Sequence, residues 1–534
     1  MKSILLVLFL SISLISPAQE MHWVYFSDKG PEAELPSFSQ VLSEQSLERR
    51  AKQGIAPDFT DLPVFQPYLS SLRDAELEII AHSKWFNAAL VKGSSTQVQN
   101  FQALPFVKKV VARKNYSTQM ASIEDARPMA PLALESASSA SSIPYGPSFG
   151  QAVMLRTTYL HQEGYLGEGM NIAVFDAGFS AMDLMAAFDT LFNDGRVKDT
   201  RDFVDGDKTV YHGSSHGTYV ISTMTAYLPN KVVGTAPKAN YYLCRTEDVS
   251  SETLAEEYNW LMAAEYADSI GVDIINSSLG YTTMDDSTQS HTYQDMDGNT
   301  TIITKAADMA AAKGILVVNS AGNSGTSSWF HIGAPADGDS VCAVGAVNKN
   351  AVYVPFSSKG PSSDGRVKPN LAAMGQDVVF ATFDGGYSDN GSGTSFAAPI
   401  LAGSAACFWQ SRPWMSNMEL LDVMQQSAHQ ANNPDSLLGY GIPDLANASI
   451  LNTTELEMPL INVYPNPVED RLHINHRESK VEAIQMFNIL GAIENVQIER
   501  SENESSINMS MLPAGIYFLK LKVDGKVITE KIIK

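Results

Sequence analysis

The chain has 534 residues, with 37 Lys and Arg against 59 Asp and Glu, which gives a formal net charge of −22 at pH 7. Hydrophobic residues make up 44% and charged residues 18%, which excludes wholesale disorder and leaves room for about three to four folded units. An acidic surface repels phosphate backbones, so the composition excludes nucleic acid as the main partner. Three cysteines are too few for a disulfide scaffold, and we expect them in the core.

Residues 1–18 have the order of a secretory signal peptide. Lys2 precedes an apolar run at residues 4–10, and small residues follow up to Ala18. The alternative is a membrane anchor, but this run is too short to cross about 30 Å of hydrocarbon. The rest of the sequence has no stretch of about 18 apolar residues. The sequence therefore predicts an exported protein without a transmembrane span.

Residues 19–115 are predicted to form a small α+β domain. Strand-like segments at 23–26 and 106–111 enclose two short amphipathic helices near residues 46–51 and 68–72. The stretch at residues 116–149 is rich in Ser, Ala and Pro and has no apolar period. It therefore predicts a flexible, cleavable linker.

Residues 150–452 alternate between short apolar runs and helical patterns. The predicted helices cover residues 254–267 and 303–312, and the predicted strands cover residues 172–175, 272–275, 315–318 and 341–344. Strands that are apolar on both faces and separated by helices indicate a doubly wound, mostly parallel α/β sheet. In such sheets the functional crevice lies at the carboxyl ends of the strands.

The end of the chain changes pattern again after a short linker at residues 453–458. Residues 471–474 and 516–523 show β patterning, and turn-forming residues stand at 465–467 and 524–525. We therefore expect a small all-β sandwich over residues 459–534.

Three reactive side chains stand where the central pattern places the crevice. Asp176 ends a predicted strand, His216 opens a helical pattern, and Ser395 opens another helix after a glycine-rich approach. Each feature alone is more often structural, as a turn residue, a packed histidine or a helix cap. Their order along the chain, Asp then His then Ser, is that of the subtilisin arrangement of the acyl-transfer triad.

The blocks around these residues, with two more at residues 276–280 and 320–325, resemble the subtilisin-like serine peptidases, or subtilases, over about 300 residues. The resemblance implies that Ser395 is the nucleophile, that His216 exchanges its proton, and that Asp176 orients the imidazole. It also implies that Asn323 donates a hydrogen bond to the oxyanion, together with the Ser395 N–H. The expected activity is a secreted serine endopeptidase.

Substrate-binding residues follow from the same resemblance. Ser278, Leu279 and Gly280 match the family strand whose backbone pairs with an extended peptide. Gly333 matches the floor of the pocket for the side chain before the scissile bond, where a glycine leaves room for a bulky apolar or aromatic group. One departure is Tyr219, which stands where many relatives have a second histidine, and we expect it to pack beneath the site.

The resemblance implies no cofactor for the chemistry and leaves structural calcium open. The segment before Gly234 lacks the oxygen-rich loop that binds calcium in many relatives. Acidic runs at residues 202–207 and 295–299 offer oxygens, but calcium takes six to eight of them and neither run supplies these alone. Solvated acidic loops are the favoured interpretation, and no residue is assigned to a metal.

The flanking domains carry resemblances of their own. Residues 47–51 and 85–88 resemble the pro-segments of secreted bacterial subtilases, which implies a zymogen whose N-terminal domain blocks the site until it is removed. Four blocks near the C-terminus resemble the sorting domains of the type IX secretion system of Bacteroidota, at residues 463–467, 486–491, 512–517 and 531–534. The alternative for this domain is an independent β-sandwich that binds a ligand or stiffens the enzyme.

The implied partners are polypeptide substrates and the type IX secretion machinery. The implied location is the cell surface or the medium, reached through the periplasm and the outer membrane. Two other functions stay open. One is a catalytically silent subtilase fold that serves as a surface adhesin or binding module. The other is an acid-active serine-carboxyl peptidase, which uses Glu as base and Asp at the oxyanion. His216 and Asn323 disfavour the second, and the intact catalytic set disfavours the first.

Overall fold

The computed structural model describes residues 20–112, 143–451, 462–476, 480–488, 493–501, 503–523 and 526–534. The predicted signal peptide and most of the predicted cleavable linker therefore lie outside the described residues. The chain divides into two compact units, one ending at Ser449 and the other beginning at Ile450. The first unit contains the N-terminal and central domains, and the second contains the C-terminal domain.

The N-terminal domain is an antiparallel sheet with helices on one face. Its strand order is β2-β3-β1-β4, and its elements are β1 (Glu20–Phe26), α1 (Phe38–Val41), α2 (Glu44–Lys52), α3 (Gln66–Asp74), β2 (Glu78–Ser83), β3 (Ala88–Gly93), α4 (Ser95–Asn100) and β4 (Val107–Ala112). The side chains of β1 point alternately to the two faces of the sheet. Val24 and Phe26 therefore pack in the domain's own core against Leu69 and Leu72 of α3. Trp23 points to the other face, towards the central domain.

The central domain is built on seven parallel strands, which confirms the predicted doubly wound sheet. The order is β13-β12-β11-β10-β5-β9-β6, with β5 (Asn171–Asp176), β6 (Val197–Asp202), β9 (Asn240–Arg245), β10 (Ile274–Ser277), β11 (Leu316–Ser320), β12 (Val341–Val347) and β13 (Leu371–Met374). Two antiparallel hairpins accompany the sheet, β7 (Tyr227–Leu228) with β8 (Val232–Val233) and β14 (Gln376–Ala381) with β15 (Tyr387–Ser392).

Helices cover both faces of this sheet. They are α5 (Phe149–Met154), α6 (Thr157–Gln162), α7 (Asp189–Asn193), α8 (His216–Thr225), α9 (Leu254–Ile270), α10 (Ile302–Ala312), α11 (Thr394–Ser411), α12 (Asn417–Ser427) and α13 (Leu445–Leu451). Ile172 and Val174 of β5 pack on the face of α8 and α11. The alternate residue Phe175 packs on the face of α9 and α10. Among the described residues, no helix is both long enough and apolar enough to cross a membrane.

The face of α9 and α10 also carries the N-terminal domain. Trp23 and Trp85 are buried in the same core as α9, and the Trp23 ring meets that of Tyr258 edge to face at 5.6 Å. Two buried arginines of α2, Arg49 and Arg50, each place a guanidinium nitrogen 2.6 Å from a carboxylate oxygen of Asp268. Both segments that resemble pro-segments, residues 47–51 and 85–88, therefore contact the central domain.

The C-terminal domain consists of two four-stranded antiparallel sheets that share one core, which confirms the predicted sandwich. One sheet has the order β16-β17-β21-β20 and the other β19-β18-β22-β23. The strands are β16 (Asn462–Tyr464), β17 (Arg471–Asn475), β18 (Val481–Asn488), β19 (Ile493–Glu494), β20 (Gln497–Arg500), β21 (Glu504–Asn508), β22 (Ile516–Val523) and β23 (Lys526–Ile533). Leu472 and Ile507 from one sheet meet Met486 and Leu519 from the other in the apolar interior.

Candidate active site

Asp176 is the last residue of β5, at the carboxyl edge of the sheet, and its side chain is fully buried. The Ala177 N–H donates to its Oδ1 at 2.8 Å. Because β5 lies between β9 and β10 in the sheet, the neighbouring strands hold this carboxylate in place from both sides. A buried carboxylate needs hydrogen-bond donors, and the second donor is His216.

His216 begins α8 and reaches this carboxylate. Its Nδ1 lies 2.8 Å from Oδ1 and 3.0 Å from Oδ2 of Asp176. We assign the proton to Nδ1 because an ionised carboxylate only accepts, which leaves Nε2 free to take a proton. A side chain at Gly217 would place a Cβ 2.5 Å from the Gly178 carbonyl oxygen, so a glycine at that position lets the helix start approach the strand end.

The electrostatic environment of His216 favours its charged form. The negative charge of Asp176 raises the pKa of His216 above its ordinary value of 6.5, the hydrogen bond to the carboxylate acts in the same direction, and burial opposes both. The imidazole is therefore a stronger base than an isolated histidine. It keeps partial contact with solvent, since its side chain is 39% exposed.

Ser395 is the second residue of α11 and is 9% exposed. Its Oγ donates to the Ser278 carbonyl oxygen at 3.3 Å. Within the described parts of the chain, no hydrogen bond joins this Oγ to the imidazole of His216. Contacts of this kind are often longer in a free enzyme than in its substrate complex. Asp176 and His216 are thus joined by a hydrogen bond, while Ser395 faces the predicted substrate strand.

Asn323 presents its amide nitrogen next to Ser395. Its Oδ1 accepts from the Thr394 N–H at 2.9 Å and from the Thr394 hydroxyl at 3.0 Å, which fixes the amide with Nδ2 turned away from Thr394. A Cβ on Gly393 would lie 3.7 Å from both Nδ2 of Asn323 and the backbone nitrogen of Ser395. With φ at +146°, Gly393 keeps this space open, and two donors border it.

The predicted substrate strand lies beside Ser395. The Ser278 hydroxyl donates to the Ser395 carbonyl at 2.9 Å, and the Leu279 carbonyl accepts from the Asn319 amide at 3.0 Å. Gly280 is exposed, and a side chain there would approach only the Ala334 carbonyl, at 3.9 Å. Hydrogen bonds to the interior of the domain therefore fix Ser278 and Leu279, whereas Gly280 lies at the surface.

Gly333 stands at a position where only a glycine fits, and its expected role as a pocket floor stays a prediction. It is buried, and a Cβ there would lie 2.9 Å from Cγ2 of Thr282 and 3.3 Å from the Tyr281 carbonyl oxygen. The glycine is needed because residues 333–335 pack closely on residues 281–282.

Sequence reasoning did not identify Thr394, although its backbone and hydroxyl orient Asn323 beside Ser395. Thr394 lies next to Ser395 in the sequence, and a hydroxyl residue directly before a predicted helical nucleophile was the available signal. Tyr219, one turn after His216, packs against the rings of Phe380 and Phe383 at 4.8 and 5.5 Å. It lies on the same helix as His216 and packs against neighbouring aromatic rings, as expected for a packing residue.

The acidic runs are satisfied by protein donors. In the first run, one guanidinium nitrogen of Arg245 lies 2.7 Å from a carboxylate oxygen of Asp202 and 2.7 Å from one of Asp205. With His212 these two carboxylates form the only candidate metal group among the described residues, and the guanidinium already supplies the positive charge there. In the second run, Asp295 and Asp297 accept from neighbours in their own loop. This agrees with ordinary acidic loops.

All three cysteines, Cys244, Cys342 and Cys407, are free and buried, as expected for core residues. Burial raises the pKa of the Cys342 thiol to about 12 and raises the pKa values of the other two well above the ordinary value. Neutral thiols of this kind are poor nucleophiles, so the candidate nucleophile remains Ser395.

This arrangement is typical of serine hydrolases of the subtilisin type. It combines a parallel sheet, an Asp–His pair at the carboxyl edge of that sheet, and a serine beside two N–H donors. The profile of the subtilase family matches residues 167–441. The chain also resembles Subtilisin E of Bacillus subtilis (strain 168), with 33% identity over 299 residues that cover 55% of this chain and 68% of that protein. The chain therefore belongs to the subtilase family.

Two further relatives are also subtilisins by name, and one solved structure matches in part. Subtilisin of Bacillus pumilus is 33% identical over 54% of this chain and 92% of its own length. Subtilisin Savinase of Lederbergia lenta is 29% identical over 57% of this chain and 97% of its own length. The crystal structure of MycP1 with the N-terminal propeptide removed matches 56% of this chain and 96% of its own, with a TM-score of 0.45 and 21% identity.

Both flanking domains match family profiles as well. Residues 21–127 match the Peptidase S8 propeptide domain of Bacteroidota, and residues 462–534 match a secretion system C-terminal sorting domain. The protein is thus a subtilisin-family serine peptidase with a propeptide and a type IX sorting tail. It is secreted to the cell surface or the extracellular space, and the secretion machinery is its partner in export. The domain limits at residues 115, 149, 452 and 459 stay predictions.

Proposed function

We propose that this protein is a serine endopeptidase made as a zymogen, and that it hydrolyses peptide bonds through Asp176, His216 and Ser395. The observation that carries the proposal is the hydrogen bond between the buried Asp176 carboxylate and His216 Nδ1, 2.8 Å long, at the edge of the sheet where α11 begins with Ser395. A binding module has no use for a buried carboxylate that strengthens a partly exposed base.

The first chemical step activates Ser395. A change of its side-chain rotamer takes Oγ from the Ser278 carbonyl to Nε2 of His216. Nε2 then accepts the hydroxyl proton while Oγ attacks the scissile carbonyl carbon. The imidazolium that forms is stabilised by Asp176, which stays ionised and holds the ring in its orientation.

The negative charge that develops on the carbonyl oxygen falls between two donors. The Asn323 amide and the Ser395 N–H border the same space beside Gly393, and the start of α11 adds the positive end of a helix dipole. The imidazolium then gives its proton to the leaving amine, which breaks the peptide bond. Water repeats the sequence on the acyl-enzyme and releases the carboxylic acid.

Polypeptide substrates bind along residues 278–280 in an extended form. The exposed Gly280 offers backbone groups without a side chain in the way, which suits pairing with a peptide strand. Recognition through the backbone reads most sequences equally, so this mode favours a peptidase of broad specificity. Gly333 is kept as the floor of the pocket for the side chain before the scissile bond.

The N-terminal domain keeps the enzyme latent until it is cut off. It covers α9 and α10 and is held by buried ion pairs, the strongest set being Arg49 and Arg50 with Asp268. The chain between this domain and Ile143 lies outside the described residues, and the cut is placed there. The bond that is cut stays unassigned.

Replacement of Ser395 by Ala tests the function. We expect kcat of the secreted, processed enzyme on a peptide library to fall by about 10⁶-fold, with no change in fold by circular dichroism. Wild-type activity should be lost after phenylmethylsulfonyl fluoride treatment. Equal activity of the variant and the wild type would refute the assignment of the nucleophile. N-terminal sequencing of the variant shows in addition whether the protein cleaves itself.

Replacement of Asn323 by Ala separates oxyanion stabilisation from substrate binding. We expect kcat to fall by about 10²–10³-fold while KM changes little, because the amide acts on the charge that develops in the transition state. Replacement of Asn350 by Ala, an exposed asparagine in the turn after β12, is the matched control. A large rise in KM with unchanged kcat would instead place Asn323 in ground-state binding.

A further inference from the structure

Tyr281 directly follows the proposed substrate strand at residues 278–280 and is buried, with 1% of its surface exposed. Its backbone exchanges two hydrogen bonds with that of Ala334, at 2.8 and 3.2 Å. Its hydroxyl donates to Oε1 of Glu247 in the interior of the domain. The proposed mechanism uses neither the phenol nor this carboxyl group, although both lie next to groups that it needs.

Glu247 lies two residues after β9, and its side chain is also buried. Its Oε1 accepts a second hydrogen bond, 3.0 Å long, from the hydroxyl of Thr246. The Thr246 N–H donates to the Asp176 carbonyl oxygen at 3.0 Å, and the Thr246 carbonyl accepts from the Asn259 amide of α9 at 3.1 Å. The carboxyl group is therefore held next to the end of the strand that carries Asp176.

The hydrogen bond between Tyr281 and Glu247 joins the two neighbours of β5 in the sheet. Strand β5 lies between β9 and β10, and all three are parallel. Glu247 follows β9 by two residues, and Tyr281 follows β10 by four. Side chains from both neighbouring strands therefore meet at the carboxyl edge, where β5 ends in Asp176, and their hydrogen bond closes this edge.

This buried pair is uncharged at neutral pH. Burial raises the pKa of Glu247 to about 8, and the hydrogen bond from Tyr281 opposes this shift. The carboxyl groups of Glu256 and Glu252, at the start of α9 and just before it, act in the same direction as burial. The pKa of Tyr281 is raised well above its ordinary value of 10, so the phenol keeps its proton and remains the donor. Breaking the bond would leave two buried polar groups without partners.

We propose that Glu247 and Tyr281 are positioning residues for substrate binding, and that their hydrogen bond fixes the substrate strand relative to Asp176. Residues 278–280 run between Ser277, which ends β10, and Tyr281. Loss of the bond would release the second of these points and loosen the strand that pairs with the peptide. Neither residue touches the reacting atoms. The effect on substrate binding rests on the proposed function, whereas the effect on the strand does not.

Kinetics of the processed enzyme test the effect on substrate binding. With the peptide that the wild type cleaves fastest, we expect Tyr281→Phe to raise KM by about tenfold and to change kcat by less than about twofold. The reason is that the strand binds the ground state and the transition state alike. Glu247→Met, which has no acceptor oxygen, should have the same effect. Glu247→Gln should behave as the wild type, because its neutral amide oxygen still accepts from the phenol.

Two further variants show whether the effect belongs to this hydrogen bond. The double variant Tyr281→Phe with Glu247→Met should raise KM no more than either single change, because both changes remove the same interaction. Tyr241→Phe is the matched control, since it removes another buried phenol, which donates to the Ala236 carbonyl at 2.9 Å. Its KM should stay within about twofold of the wild-type value. An unchanged KM in Tyr281→Phe, additive effects in the double variant or an equal rise in Tyr241→Phe would each overturn the proposal.

Hydrogen exchange in the full-length Ser395→Ala protein tests the strand without proteolysis. The backbone N–H groups of Tyr281 and Ala334 both donate across the bridge between their segments. We expect Tyr281→Phe and Glu247→Met to exchange these two amides about tenfold faster than the parent, and Glu247→Gln to exchange them at the parent's rate. Unchanged exchange in the first two variants would overturn the positioning role.

Two other outcomes are equally decisive. Failure of Tyr281→Phe to fold would overturn the proposal, because a hydrogen bond that only positions the strand is not needed for folding. An inactive wild type would refute the proposed function, while faster exchange in Tyr281→Phe would still support the role of the hydrogen bond in holding the strand.

Discussion

The two faces of the central sheet are covered in different ways. On one face, α8 and α11 bury β5 with an apolar layer made entirely by the central domain. On the other face, α9 and α10 share their layer with Trp23 and Trp85 of the N-terminal domain. Buried ion pairs of Arg49 and Arg50 with Asp268 add to this second layer where the N-terminal domain meets it. The permanent face is thus closed by the central domain alone, and the face that the proposed zymogen must uncover combines aromatic packing with charge.

The difference has a physical reason. Apolar contacts are non-directional, and the surface left by their separation is poorly hydrated. Charged groups are strongly hydrated once the two surfaces separate. By contrast, a substitution that removes one partner of a buried pair leaves the other charge buried and unpaired. Ion pairs therefore fix one docking geometry while the chain is intact. Their exposure after cleavage costs little free energy, because water hydrates the separated charges. The proposed catalytic residues His216 and Ser395 lie at the starts of α8 and α11 on the permanent face, so removal of the N-terminal domain leaves their support intact.

Replacement of Asp176 by Asn should have the largest effect and should be independent of the N-terminal domain. We expect kcat to fall by about 10⁴-fold, since the imidazole loses the partner that fixes its tautomer. Because Asp176 raises the pKa of His216 and the base works only when deprotonated, wild-type activity rises with pH through that raised pKa. The acid limb of the pH–rate profile should move to lower pH in the variant. An unmoved limb would contradict the assignment of His216 as the base.

Replacement of Arg50 by Ala should weaken the N-terminal domain, which contains Asp61, and its contact with the central domain at Asp268. Asp61 and Asp268 would each lose a buried guanidinium partner, and we expect the association of the N-terminal domain to weaken by about 3–5 kcal/mol. The processed enzyme should keep its kcat and KM. Size-exclusion chromatography of freshly processed protein measures the retained N-terminal fragment.

The matched control for Arg50 is Lys92→Ala in the same domain. Its exposed pair with Glu78, with N and O 4.0 Å apart, should contribute less than about 1 kcal/mol. If the two variants lose equal amounts of fragment, the interface does not depend on its buried charges.

Acid should loosen the same interface. Burial alone would raise the pKa of Asp61, but its hydrogen bonds to Arg50 and its proximity to Lys313 lower it from 3.8 to about 2. A carboxyl whose pKa is depressed in the folded state stabilises that state above pH 3.8 and loses this contribution as pH falls towards 2. The retained fragment should therefore dissociate more readily below pH 3.8. Asp61→Asn should flatten this dependence, and an unchanged pH profile in the variant would contradict it.

The sequence made Asp176, His216 and Ser395 recognisable because their contexts are local. A strand that ends in Asp and helices that begin at His or beside Ser are encoded by a few neighbouring residues. The Ser395 rotamer, the amide orientation of Asn323 and the Thr282 methyl beneath Gly333 depend on contacts between distant segments. No local pattern contains that information.

Two strands of the N-terminal domain could not be predicted from the sequence either. Its central strand β3 is apolar on both faces, with four buried residues in succession, and β2 lacks a clean alternation. Short apolar runs do not distinguish a strand from a buried helix, so neither strand was predicted. The sharing of Trp23 and Trp85 with the central domain was likewise invisible, because it depends on packing between domains.

Glu265 illustrates what the interface leaves behind. In the intact chain this buried carboxylate accepts hydrogen bonds from the backbone N–H groups of Lys84 and Trp85, both at 3.1 Å. Burial raises the pKa of this carboxyl group, so its exposure to solvent after the fragment departs favours the ionised form. The proposed maturation would therefore convert a buried acceptor on α9 into a hydrated carboxylate, and rebinding of the fragment would have to remove that water.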